Sequence, residues 1–205
     1  MPQAAPQLVP WWTDARDFLA SAPVLGAIVR TTPEAEGLRV CEDVMRTYVR
    51  TVAGQQVSGA SAAALTKKVL AAAGNTGGAE LARSLTALGE KGLAAAGLSR
   101  TKTAALLGLA AGYSEGKLTR KALEGLNAAS VTALLTGVRG IGPWSADMIR
   151  IFALGRADVL ALSDYGVRKA IDELGASPEA VRGWERFGTA ATWFLWKSRG
   201  TPAQY

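Results

Sequence analysis

Gly140 and Gly142 bracket a single isoleucine inside LTGVRGIGPWSADMIRIFALGRADVLALSDYGVRK, residues 135–169, and this stretch constrains the fold more than any other. An apolar helical run over 131–135 ends at Thr136. Pro143 suits the first turn of a new helix, because its missing N–H would have no helical partner there anyway. Between the two, Gly140 and Gly142 let the backbone turn tightly and come close to a partner. The spacing therefore predicts helix, hairpin, helix. It is not a dinucleotide fingerprint, which needs a preceding strand and a third glycine where Trp144-Ser145-Ala146 stands. A carboxylate, Asp164, follows about twenty residues after the hairpin.

Composition narrows the chemistry open to that carboxylate. The 205 residues are 49% hydrophobic and 20% charged, enough to bury a core as one domain or a compact two-lobed unit. A net charge of +6 favours a polyanionic partner, since each Lys or Arg set against a phosphate releases counterions, although a merely basic globular protein has the same balance. One cysteine, Cys41, rules out an internal disulfide and a four-thiolate iron-sulfur cluster, and reads as a small core residue. The chain has no histidine, so histidine zinc sites and Ser-His-Asp triads are excluded and any acid-base work falls to carboxylates. No apolar run approaches the ~20 residues of a spanning helix. The start, MPQAAPQLVPWW, lacks the basic-then-apolar plan of a signal peptide. A cytoplasmic protein with no membrane partner is expected.

Leu38, Cys41, Val44, Met45, Tyr48, Val49 and Val52 recur at helical spacing, predicting a helix over 38–54 closed by Gly54. Further helices are expected over 60–73, 79–88, 90–96, 99–111 with Ser99 as N-cap, and 119–126. The hairpin helix should run from Pro143 to near Gly155. Residues 158–162 have β character but are too short and isolated to found a sheet, so they read as an extended connector. Helices over 164–174, after Ser177-Pro178, and over 189–199 complete an all-α chain without repeats or low-complexity linkers.

The hairpin segment resembles the helix-hairpin-helix DNA glycosylase superfamily, and in particular its AlkA-like branch, the 3-methyladenine DNA glycosylase II type. YVRTVAGQQVSGASAAAL, residues 48–65, is similar to that branch's Gly-Gln-Gln-hydrophobic-Ser segment, and GLSRTKTAALLGLA, residues 97–110, to its Gly-Leu-Ser-x-x-Lys segment. WERFGTAATWFLWKSRG, residues 184–200, is similar to its closing Trp-rich helix. The four segments stand in the family's order across residues 38–200. The resemblance implies two helical lobes with a DNA-binding cleft between them. Residues 38–205 would form the glycosylase domain and 1–37 an extension packed on the helical core, so the N-terminal β-rich lobe of larger members is expected to be absent.

Asp164 lies just ahead of a helix, where a carboxylate commonly does no more than cap the first N–H groups. The resemblance implies instead the catalytic aspartate, which stabilises an oxocarbenium-like sugar and orients or deprotonates water. Trp144 stands where strand-cleaving relatives carry a nucleophilic lysine, so no Schiff base is expected and the chain resembles a monofunctional enzyme. Trp144 and Trp196 match aromatic pocket positions, with Met148 and Phe187 beside them; Trp184 and Trp193 read as core. Gln56 matches the wedge that enters the duplex when a base leaves the stack, while Gln55 supports the fold. The N–H groups from Gly140 through Ile141 to Gly142, with Arg139 and Lys169, are candidate backbone contacts. The carbonyls of Thr136, Val138 and Ile141 match those that hold a Na+ or K+ ion in relatives; no cofactor is otherwise required.

Two departures stand out. Phe187-Gly188 replaces the family's usual Tyr-Arg, and Met148 replaces a frequent aromatic. The reading is a monomeric glycosylase for 3-methyladenine and 7-methylguanine in double-stranded DNA, acting in base excision repair. Its alternatives are a non-catalytic DNA-binding protein, or a glycosylase for 1-methyladenine, 3-methylcytosine, hypoxanthine or uracil.

Overall fold

The computed structural model describes residues 8–200. Residues 1–7, which open the stretch judged unlike a signal peptide, and 201–205, the end of the expected glycosylase domain, lie outside the described residues. Among the described residues the regular structure is all helix, twelve α-helices and a 3-10 turn, with an isolated bridge between Leu8 and Arg39. No described helix is long and apolar enough to cross a membrane. Two compact units divide the chain: Cys41–Ile149, and Met1–Val40 joined with Arg150–Tyr205.

The unit Cys41–Ile149 is assembled from helices whose starts are written in polar side chains. Asp43, Ser58, Ser99, Thr119 and Asn127 each accept a hydrogen bond from the backbone N–H three residues on. Each such cap stabilises its helix by about 1 kcal/mol. They open α3 (Val44–Gly54), α4 (Gly59–Ala72), α6 (Arg100–Ser114), α7 (Arg120–Glu124) and α8 (Ala128–Thr136). The expected helix from Leu38 is corrected, because Asp43 is extended and caps at Val44 while the Leu38 carbonyl accepts from Val9 N–H at 3.2 Å. Cys41 is accordingly half-buried ahead of that cap, not in the core. The two short helices expected over 79–88 and 90–96 both form and meet at Gly89, whose φ of +58° and ψ of −165° are non-helical; together they make up α5 (Gly78–Ala95). Met45, Val49, Leu81, Leu85, Leu106 and Leu109 are fully buried. Burial also pushes the Tyr48 hydroxyl well above its ordinary pKa; it donates to the Leu118 carbonyl at 2.8 Å. The hairpin follows α8, and α9 (Pro143–Phe152) begins in this unit.

The second unit is organised around α12 (Gly188–Ser198), where every residue from Gly188 to Trp196 is buried. Against it pack α1 (Trp12–Ala20), α2 (Leu25–Thr31) and α10 (Tyr165–Glu173); α11 (Pro178–Gly183) and the turn Glu185–Phe187 precede it. Within the stretch read as an extension packed on the helical core, residues 12–31 thus contribute two helices that pack against α12. The Trp12 ring stacks on Phe194 at 5.6 Å and meets Trp193 edge-on at 5.3 Å. Trp184 and Trp193 are buried, as their core reading expected.

Candidate active site and nucleic-acid interface

Residues 158–161 lie outside regular structure and have no strand partner, and turns follow, with Leu162 N–H donating to the Leu160 carbonyl at 2.8 Å and Asp164 N–H to the Ala161 carbonyl at 2.9 Å. Buried backbone N–H groups need acceptors, and here two threonine hydroxyls of α12 supply them. Thr189 Oγ1 accepts from Val159 N–H at 3.0 Å and donates to the Arg156 carbonyl at 2.6 Å. Thr192 Oγ1 accepts from Ala161 N–H at 3.0 Å and donates to the Val159 carbonyl at 3.1 Å. Both threonines are fully buried. The connector is therefore laced to one face of a helix as a strand would be laced to its neighbour. Neither threonine was singled out in the sequence. Two hydroxyls three residues apart on an otherwise apolar, Trp-rich helix were the available signal.

Asp164 ends the connector and caps α10. Its Oδ1 accepts from Val167 N–H at 2.9 Å and from the indole N–H of Trp196 at 3.0 Å. The residue is half-buried, and Tyr165 beside it is 69% exposed. Trp196, expected as a pocket wall, is only 7% exposed; its ring lies parallel to Phe152 with centroids 5.8 Å apart. It thus orients the carboxylate through a bond joining positions 32 apart in sequence. Trp196→Phe keeps an aromatic ring beside Phe152 but removes the N–H donor and part of a buried ring, so the melting temperature should also fall. Turnover by the folded protein is expected to fall about tenfold, the low end for a hydrogen bond to a charged group. Unaltered turnover in single-turnover kinetics would show that the indole does not orient Asp164.

Phe187, also expected at the pocket, is 8% exposed and packs against Trp11 and Phe18, under the Arg186 guanidinium. The glycine after it has a steric cause: a Cβ on Gly188 would lie 2.5 Å from Leu160 N and 2.9 Å from the Val159 carbonyl carbon. Close approach of α12 to the connector leaves no room for a side chain at this position. Lys169 is exposed on α10, 3.9 Å from Glu173.

In the other unit, the hairpin runs from the end of α8 to Pro143. Gly140 adopts φ +87°, and a Cβ there would meet Ala105 Cβ at 3.0 Å and the Thr101 carbonyl at 3.3 Å, so both backbone conformation and packing on α6 require glycine. Gly142 has nothing within 4 Å of its Cβ position and faces open space. Val138 accepts from Ile141 N–H at 3.0 Å, and Thr136 is the last residue of α8, where carbonyls lack helical partners. Arg139 is exposed and, with Glu90, Arg100, Thr101 and Ala104, lines an open recess of about 340 Å³. Trp144 is half-buried on α9, with Cη2 3.6 Å from a Cβ placed on Gly54, and Met148 is 3% exposed. Gln56, the expected wedge, is exposed and has φ +54°, a region that non-glycine residues seldom enter. Gln55 donates to the Gly140 carbonyl and to Ser145 Oγ, each at 2.9 Å.

No family model matches the sequence. Among curated proteins, the chain is 32% identical over 114 residues to DNA-3-methyladenine glycosylase 1 of Schizosaccharomyces pombe, covering 51% of this chain and 50% of that one. It is 36% identical over 91 residues to DNA-3-methyladenine glycosylase of Saccharomyces cerevisiae, covering 42% and 31%. The chain thus spans half or less of the length of these relatives. Among solved structures it superposes on the S. pombe 3-methyladenine DNA glycosylase in complex with abasic DNA with a TM-score of 0.80, 24% identity, and 94% and 98% of the two chains covered. A DNA-3-methyladenine glycosidase from Bacillus halodurans gives a TM-score of 0.70 at 26% identity over 89% and 91%. The chain is thus similar in fold to these solved structures, and over part of its length similar in sequence to proteins named DNA-3-methyladenine glycosylase.

Proposed function

We propose that this chain is a monofunctional DNA glycosylase that hydrolyses the N-glycosidic bond of alkylated bases, 3-methyladenine and 7-methylguanine, flipped from double-stranded DNA in base excision repair. The observation that carries this reading is the carboxylate of Asp164, held by Val167 N–H and the Trp196 indole at the end of a connector pinned by buried threonines. A carboxylate so fixed stabilises positive charge developing on the sugar as the base departs and orients the attacking water. Alkylation puts a positive charge on the base, and an aromatic face attracts such a cation by about 0.5–2 kcal/mol. Half-buried Trp144 supplies that face in this reading. The net charge of +6 draws the chain to DNA irrespective of sequence. Relatives carrying the 3-methyladenine glycosylase name support the substrate class.

The open side of Gly142, the N–H of Gly140 and the charge of Arg139 would grip phosphates at the hairpin, while Ile141 N–H is already given to the Val138 carbonyl; Lys169 on α10 would make a separate phosphate contact. The carbonyls of Thr136, Val138 and Ile141 suit a Na+ or K+ ion that neutralises charge at the DNA backbone, the one ion this reading includes. Gln56 fills the gap left by the extruded base. The enzyme works as a cytoplasmic monomer.

One observation favours the rival reading of a non-catalytic DNA-binding protein: Asp164 does cap α10. A carboxylate offers about four lone-pair sites, so capping and catalysis are compatible. Incubation with duplexes bearing defined lesions separates the readings by the appearance of free base. With Trp144 in place of a nucleophilic lysine, abasic DNA should accumulate uncut and borohydride should trap no protein-DNA adduct. A trapped adduct on denaturing gels would overturn the monofunctional assignment; no free base from any alkylated duplex would overturn the glycosylase.

A further inference from the structure

We propose that Lys102 and Gln55 form a clamp that presents Gln56 to the duplex and ties it to the hairpin that holds the DNA; the inference rests on the glycosylase reading above. The Gly-Leu-Ser-x-x-Lys segment is part of the family resemblance, yet its lysine has no place in the chemistry. In the structure Lys102 reaches out of α6 and its Nζ donates to the carbonyl of Ala53 at 2.9 Å, in the last turn of α3. Carbonyls in that turn lack helical partners, and a cation there also complements the helix dipole. Partial burial lowers the lysine's pKa, so the contact has been made at some cost in hydration.

Two residues later Gln55 is held from another direction, by the Gly140 carbonyl of the hairpin and by Ser145 on α9. Ser58 already caps α4, so little slack remains in the loop. Gln56, between these anchors, takes a left-handed backbone conformation that costs energy in any residue but glycine and persists only where its surroundings impose it. The clamp therefore does two things. It forces the turn that leaves Gln56 exposed, and through the Gly140 carbonyl it fixes the register between the phosphate grip and the wedge. Lys102 and Gln55 are positioning residues and touch no reacting atom.

Extruding a paired base requires the wedge, whereas a lesion in an unpaired bubble has already left the stack. The test compares release of 7-methylguanine from a paired duplex and from a bubble by wild type, Lys102→Met, Gln55→Leu and Lys102→Arg. The ratio of paired to bubble excision is expected to fall at least about tenfold in the first two variants and to recover with arginine, which keeps a donor for the Ala53 carbonyl. An unchanged ratio, whether or not both rates decline together, overturns the clamp. Should Lys102→Met fail to fold, the ratio is read from Gln55→Leu alone. Absence of free base from wild type on both substrates overturns the glycosylase reading instead, so the two failures are distinct.

Discussion

Asp164→Asn should lose base release by about 10²- to 10³-fold, the range seen when one preorganised electrostatic group is removed from an active site, while the protein stays folded and bound to DNA. The substitution is nearly isosteric. Asparagine is as good an N-cap as aspartate, and its side-chain oxygen still accepts from Val167 N–H and from Trp196 Nε1. Only the charge opposite the oxocarbenium-like sugar is gone. The measurement is single-turnover base release on a 7-methylguanine duplex, with binding measured on the same DNA. Asp164→Ala serves as the contrast, because it also removes the cap and leaves the indole N–H without this acceptor. It should lower stability by about 1 kcal/mol from the cap alone. Near-wild-type turnover by the asparagine variant would reduce Asp164 to a structural residue and promote the DNA-binding alternative.

Gly188→Ala should destabilise the protein by about 1–3 kcal/mol, the usual result of overpacking a tight site, although alanine replacing glycine in a helix ordinarily stabilises by about 0.5–1 kcal/mol. The sign reverses because the new Cβ would sit 2.5 Å from Leu160 N and 2.9 Å from the Val159 carbonyl carbon. Both are backbone atoms and cannot rotate away. Thr189 and Thr192 pin the same connector, so it cannot retreat without breaking buried hydrogen bonds. Any shift that relieves the clash displaces Asp164, a few residues further along. A lowered melting temperature together with slower turnover by the folded fraction is expected. A raised melting temperature would show that the connector is not packed this tightly.

Local rules carried the sequence reading a long way where the chain states its own punctuation. Ser99, Ser177 and Asp164 cap helices as their positions implied, and Gly140 turns the hairpin. The reading failed where punctuation is missing. Neither α1 nor α2 has a side-chain cap bond, and burial against α12 sustains them instead. Leu38 and Cys41 continued a helical periodicity by coincidence, and the cap at Asp43 overrode it.

The sequence by itself determined the all-α class, the helix-hairpin-helix element, and the placement of Asp164 at the head of a helix. Each depends on interactions within a few residues, where spacing and cap chemistry are enough. Tertiary structure alone decided that the Trp196 indole orients Asp164, that Thr189 and Thr192 stand in for a neighbouring strand, and that Gln55 reaches Gly140 across 85 positions. Those bonds join groups that periodicity treats as unrelated. Their partners are set by which helices bury against which, and only then do particular polar atoms come within hydrogen-bonding distance.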